Sequence, residues 1–484
     1  MQLLTKSKYL YGLQCLKYLW ISVHEPEKIP EPDERAKSIF KQGNEVGNLA
    51  KTLFPKGTDI QTQDFTLNIE QTKELLKKKK ILFEAGIQAG QLYARADILK
   101  PVKDEWDIIE VKSSTEVKDE HYDDLSFQKF CYEKAGLKIR KCFLMHLNKE
   151  YVKKGKINPK KLFVTEDITE EVKAVEGVQD RISEMLKVLE SDKMPEQNIG
   201  RLCNNPHECP IQEICWAFLP KDNVFDLYYG GKTSQELFSN GILKIKDIPK
   251  DFKLTDKQQI QRECAITGKA NIHKEGIRHF LSHLKYPIYY LDFETFSSAI
   301  PVFDGTRPWQ NVGFQFSLHV VKEDGSKPEH YSFLADKPED PRKEFMAELK
   351  KVIGDKGCVI IYNASFETGI LQELAKSFPK NKVWINKVIG RMVDLLIPFR
   401  NFQYYSPKQQ GSASLKEVLP ALTGINYENL VIHGDIAGLE WYRVTFGKAP
   451  DKIKVRADLE EYCGLDTESM VLIIDELRKL SRGK

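Results

Sequence analysis

Tyr289-Tyr-Leu-Asp-Phe-Glu-Thr295 places two carboxylates, Asp292 and Glu294, inside an apolar run. On a strand, residues two apart point to the same face, so this segment predicts a buried strand offering a pair of acids. Two further acids follow. Glu367 closes Ile361-Tyr-Asn-Ala-Ser-Phe-Glu367, and Asp466 lies in Tyr462-Cys-Gly-Leu-Asp466-Thr. Tyr462 and Asp466, four apart on a helix, share one side of it. If Asp292, Glu294, Glu367 and Asp466 converge, they can hold two divalent cations, Mg²⁺ or Mn²⁺, with the Tyr462 phenol orienting a water.

The order Asp-x-Glu, Asn-x-x-Phe-acid, Tyr-x-x-x-Asp resembles the DEDD exonucleases of the RNase H-like superfamily, in the branch with Tyr in its third motif. The resemblance runs from about Pro287 to Lys484. The middle motif of that family usually ends in Asp; Glu367 is one methylene longer. Ser414-Leu-Lys-Glu-Val-Leu-Pro420 and Arg391-Met-Val-Asp394-Leu sit where such exonucleases place a helix and a strand.

At 484 residues the chain exceeds what one core supports, and two or three domains are expected. Hydrophobic content of 41% with 30% charged residues is that of a globular protein. The longest apolar runs are strand-sized and Met1-Gln-Leu-Leu-Thr-Lys lacks a signal-peptide core, so neither a membrane partner nor export is expected; the expectation is cytoplasmic. Net charge of +3 announces no partner. Locally, Lys77 to Lys80 and the stretch from Lys138 to Lys161 are strongly basic; such clusters suit phosphates as well as they suit a solvated face.

Residues 1 to about 50 read as helical, with Leu10, Leu13, Leu16 and Leu19 near helical spacing. Ile81 to Ile87, Gln91 to Leu99 and Trp106 to Lys112 read as strands, Asp123 to Gly136 as a helix, Cys142 to Leu147 as a strand, and Glu170 to Leu189 as one long helix. Residues 220–285 are polar and helical; Glu236 to Pro249 predicts helix, Gly turn, helix, similar to a helix-hairpin-helix element or a plain connector. Strand and helix patterns alternate from Ile288 to the end, which suits a mixed α/β layer.

A second charged set lies in the first half. Asp97 follows Tyr93-Ala-Arg-Ala, and Glu110-Val-Lys112 ends the next strand with both side chains on one face. Two carboxylates and an ammonium on neighbouring strands suit a divalent metal and a phosphate. On the following helix Gln128 and Tyr132 are four apart and share a face. Asp, Glu-x-Lys and Gln-x-x-x-Tyr together resemble the RecB-type nucleases of the PD-(D/E)XK superfamily over about Met1 to Leu219; the resemblance implies that Gln128 and Tyr132 brace the site and contact substrate. Members with an iron-sulfur cluster often carry a metal-binding His on an early helix, whereas Gly43-Asn-Glu-Val-Gly47 has none, leaving either Glu45 as a substitute or a metal with fewer protein ligands.

Cys203, Cys209 and Cys215 follow this set and Cys15 precedes it. One cysteine before the nuclease core and three after resembles the arrangement of CRISPR-associated and AddB-like members, implying a [4Fe-4S] cluster on Cys15, Cys203, Cys209 and Cys215. Zinc is the rival, although no Cys-x-x-Cys occurs. Cys131, Cys142, Cys264, Cys358 and Cys463 stand singly in apolar patterns and read as core.

The sequence therefore predicts an α/β multidomain chain: residues 1–219 a PD-(D/E)XK restriction-endonuclease-like domain with iron-sulfur cysteines, 220–285 a helical connector, and 286–484 an RNase H-like exonuclease domain. The whole resembles a prokaryotic family with this pairing whose second half is catalogued as a domain of unknown function. The expected activity is metal-dependent hydrolysis of phosphodiester bonds, DNA ahead of RNA, in repair or foreign-DNA processing. The alternative is a nucleic-acid-binding scaffold with one or both centres inactive.

Overall fold

A computed structural model describes residues 2–427, 432 and 434–482. It is mixed α/β with three sheets and divides into two units. The first comprises Met1–Phe218 with Ser298–Gln310; the second comprises Leu219–Ser297 with Asn311–Lys484. Residues 220–285 thus cluster with the second unit.

In the first unit a seven-stranded sheet runs in the order Thr58–Asp59, Leu82–Ala89, Leu92–Val102, Glu105–Val111, Ile139–Leu147, Phe163–Asp167, with Leu4–Thr5 joining Leu92–Val102. Leu82–Ala89, Leu92–Val102 and Glu105–Val111 form an antiparallel meander, and Ile139–Leu147 lies parallel to Glu105–Val111. A parallel pair requires a crossover, which helix Asp119–Lys134 provides. That helix buries Leu125, Phe127, Cys131 and Tyr132 in a core with Ala94, Ala96, Ile108 and Leu144. A second core gathers Val46, Phe83, Ile98, Ile109 and Met145, and Ala299 joins it from the later segment. Strand Glu105–Val111 is an almost unbroken buried run because both faces are covered.

Glu170 to Leu189 is two helices rather than one, Thr169–Ala174 and Val178–Glu190, broken where Gly177 takes φ +70°. Helix Gly231–Ser239 ends at a turn with Gly241 at φ +76°, but only one 3₁₀ turn, Ile245–Asp247, follows. Pro249 disfavours helical backbone at Ile248 and stops the expected second helix.

The second unit's main sheet runs Glu329–Leu334, Val312–Val321, Ile288–Phe296, Cys358–Ile361, Met392–Asp394. The first two junctions are antiparallel and the last two parallel. Ile288–Phe296 is therefore central. Its Tyr289, Leu291 and Phe293 enter one core with Phe345, Leu371 and Val388. Ile288 and Tyr290 enter the other, with Leu419, Met470, Ile473 and Ile474. By the two-residue period, Asp292 and Glu294 lie on the face of Tyr290, toward helix Lys452–Arg482, which carries Asp466. Among the described residues no helix is long and apolar enough to cross a membrane.

Candidate active site

One oxygen each of Asp292, Glu294 and Asp466 lie within 4.8 Å of one another, the only such set of acidic, histidine or cysteine side chains among the described residues. Strand period and helix register bring them together, and burial makes them repel. Desolvation, then Asp466 and Glu294, pushes the Asp292 carboxyl well above its ordinary range. Glu294 rises to about 8, from burial and the charge of Asp466. Asp466 rises to about 6 through burial, held back by hydrogen bonds from Tyr427 and Tyr462 and by the charge of Lys416.

Glu367 sits in the first turn of helix Ser365–Ser377 and is only 3% exposed. Its Oε2 has no hydrogen-bond partner among the described residues, and burial lifts its carboxyl to about 8. It lies outside the close trio, yet its charge acts on both Asp292 and Glu294. Asp394 plays a different part. It accepts the amides of Asn363, Ala364 and Leu396 at 2.9, 3.1 and 2.9 Å and so fixes the turn that leads into the Glu367 helix.

Tyr462 hydrogen-bonds Asp466 and is buried. Three neighbours were not evident in the sequence. Tyr427 donates to Asp466 Oδ1 at 2.9 Å, the Cys463 thiol to Asp292 Oδ2 at 3.6 Å, and the Lys416 ammonium stands 5.6 Å from the centre of the Tyr462 ring. Cys463 thus adjoins the acids instead of serving only as core.

In the first unit, Glu110, Lys112 and Gln128 meet, with two more residues that sequence reasoning missed. Glu110 Oε1 takes both Lys112 Nζ and Lys6 Nζ at 2.8 Å, and its Oε2 accepts Gln128 Nε2 at 2.8 Å. Asp124 receives Lys112 at 2.7 Å and Gln128 at 2.8 Å. Asp124, Gln128 and Tyr132 are spaced by four, so extending that helical face backward was the available signal. Burial opposes ionisation of Glu110, but the two lysines prevail and hold its carboxyl below the usual range. Asp97 faces burial and Glu110 instead and rises to about 7, while its Oδ2 accepts the Val111 amide at 2.7 Å.

Gln128 and Tyr132 are fully buried, which leaves them no surface for the implied substrate contact. Tyr132 donates to Ala85 O and accepts from the Ala96 amide, bracing neighbouring strands. Glu45 is exposed on helix Glu34–Lys51.

Cys15, Cys203, Cys209 and Cys215 line one small cavity and pack with Tyr18, Trp20 and Ile211. Cys15 separates helices Lys6–Gln14 and Leu16–His24. Gln14 Nε2 donates to Leu202 O at 3.1 Å and His207 O at 2.6 Å, tying the Cys203–Cys209 loop to the first helix. The remaining five cysteines are buried singly.

Residues 289–414 match the family described as Domain of unknown function (DUF2779). That span includes Asp292, Glu294 and Glu367 and ends before Asp466. The uncharacterized protein MG366 homolog of Mycoplasma pneumoniae is 27% identical over 216 residues, 39% of this chain and 32% of that protein. MG366 of Mycoplasma genitalium is 26% identical over 227 residues, 40% of this chain and 32% of that protein. The uncharacterized protein UU173 of Ureaplasma parvum is 29% identical over 331 residues, covering 59% of this chain and 46% of that protein. The chain thus spans less than half the length of the curated relatives it matches.

Proposed function

We propose that the chain is a divalent-metal-dependent nuclease whose second unit is an RNase H-like exonuclease. The observation that carries the reading is the close set of half-buried Asp292 with buried Glu294 and Asp466, too close to be ionised together without a cation, beside the Oε2 of Glu367, unpartnered among the described residues. Donors of this kind fit Mg²⁺ or Mn²⁺, which take oxygen ligands. When bound, such ions would activate the attacking water and stabilise the leaving oxygen.

The chain's own residues do the rest. Asp292, Glu294, Glu367 and Asp466 would hold the cations, Tyr462 would align the water, and Lys416 would steady charge on a phosphate. Tyr427 fixes the Asp466 carboxylate through its 2.9 Å hydrogen bond. A mixed sheet with the acid-bearing strand at its centre suits the RNase H-like reading. Metal-dependent release of nucleotides from end-labelled DNA and RNA tests it; no release with either strand, in magnesium or manganese, would sink it.

For the first unit we infer a RecB-like, PD-(D/E)XK fold, supported by the meander, crossover helix and parallel strand that gather Asp97, Glu110, Lys112 and Gln128. The four cysteines around one cavity are a donor set that would take a [4Fe-4S] cluster as a clip. A second reading, in which only the second centre cuts, is favoured by Lys6 occupying Glu110 together with Lys112. Product patterns of Lys112→Ala and Asp292→Ala discriminate: if Lys112→Ala leaves every product unchanged, the first centre is scaffold.

A further inference from the structure

The second unit also carries an aromatic cleft that the acids do not use. Tyr228 and Tyr229 stand edge to face, ring centres 4.6 Å apart, between two clefts of about 450 and 350 Å³. Tyr229 is 84% exposed and takes φ +48°, backbone that a bulky side chain adopts only at a cost. It is not the tip of a loose loop. The Tyr228 amide donates to Gln261 Oε1 at 2.8 Å, and its carbonyl accepts Gln258 Nε2 at 3.1 Å, both glutamines being buried. The Tyr228 ring packs on Phe402 at 5.0 Å.

The larger cleft is walled by Tyr362, Asn363, Arg400, Ser414 and Leu415. Arg400 is exposed, and its charge acts on the phenols of both Tyr228 and Tyr362. A second cation, Lys257, lies 5.2 Å from the Tyr228 ring centre. Two walls adjoin, along the chain, segments that carry residues of the candidate site. Asn363 begins the turn into the Glu367 helix, and Leu415 adjoins Lys416.

We propose that this cleft binds single-stranded nucleic acid, with Tyr229 stacking an unpaired base and Arg400 contacting a phosphate, so that a strand end is led to the carboxylates. The proposal rests on reading those carboxylates as a phosphodiesterase centre. A rigid aromatic beside cations is what recognises an unpaired strand without regard to sequence, since every base has a π face. Duplex bases have both faces covered and are excluded.

The test is fluorescence anisotropy on the full chain with divalent ions chelated, so that nothing is cut, using labelled single-stranded DNA, single-stranded RNA of the same sequence, and duplex. Single strands should bind in preference to duplex, with the DNA and RNA arms telling which sugar is accepted. Tyr229→Ala should weaken binding roughly 5- to 150-fold, the effect of one lost stack, and Tyr229→Phe should not. Arg400→Ala should lower the slope of log affinity against log salt by about one phosphate contact. Unchanged affinity in Tyr229→Ala, or equal binding of duplex, overturns the cleft whether or not the chain hydrolyses. Tyr229-dependent binding without hydrolysis in magnesium or manganese keeps the cleft and removes the nuclease reading instead.

Discussion

Lys6 Nζ lies 2.8 Å from Glu110 Oε1, across 104 residues of sequence, on the same oxygen that Lys112 occupies. Two ammonium groups therefore take the place on Glu110 that a cation would need. Lys6→Ala should raise manganese binding at this centre, measured by calorimetry in an Asp292→Asn background. It should also destabilise the chain, by less than the ~3–5 kcal/mol of breaking a fully buried pair, because the Lys6 side chain is 25% exposed and water can replace it. Unaltered manganese binding would assign Lys6 to folding alone.

Asp292→Asn and Glu294→Gln should each abolish metal-dependent hydrolysis at the second centre while raising the melting temperature of metal-free protein. Each removes one of several closely spaced acids that repel, and a domain of this size gains about 2–4 °C for each kcal/mol relieved. A lowered melting temperature would mean that the acids are already satisfied by something other than a metal.

Tyr462→Phe should retain part of the activity that Asp292→Asn loses, since positioning and proton-transfer groups contribute typically about 10²- to 10⁴-fold. Lys416→Ala should lower turnover without altering the fold, because Lys416 is exposed. Steady-state kinetics on an end-labelled strand separates them; equal and complete loss in all three would give Tyr462 another role.

Glu294 and Glu367 titrate near 8 and Asp466 near 6, above their ordinary values. Between the unfolded and folded values the native state binds more protons. Stability of the metal-free protein is therefore greatest below about pH 4 to 4.5 as far as these groups decide it, and falls as pH rises toward about 8. Metal competes with those protons. The rise in melting temperature caused by magnesium should grow from about pH 5 to about pH 8, and Glu294→Gln should flatten the trend. A shift that is independent of pH would place magnesium elsewhere.

Protein purified without oxygen should be brown and hold about four irons per chain if the thiols carry a cubane cluster. Cys209→Ala should lose the colour and much of the solubility, and Gln14→Ala, which frees the Cys203–Cys209 loop, should lose iron faster to a chelator. A colourless preparation with one zinc per chain would replace the cluster with a structural zinc.

The strand bearing Asp292 and Glu294 was legible because a two-residue period needs no distant information, and Tyr462 with Asp466 because helical spacing is equally local. Partners fixed by tertiary packing were not. Lys6, Lys416 and Tyr427 reach the acids only through tertiary packing, and nothing beside them in sequence marks the meeting. Gly177 carried the signal for a break in the expected long helix, outweighed by the apolar pattern around it. Ser298–Gln310 has no compositional boundary, so its membership of the first unit was invisible.

That excursion has a temporal meaning. Trp309 donates to Ser113 O at 2.6 Å, the Ala299 amide to Gln42 Oε1 at 2.7 Å, and Lys153 pairs with Asp304 at 2.7 Å. During synthesis, which proceeds from the N-terminus and usually lets an early domain fold first, these bonds must wait until residue 310 has left the ribosome. By then all of 219–297, including the strand of Asp292 and Glu294, has already emerged. The first unit is thus completed only after that strand has been made.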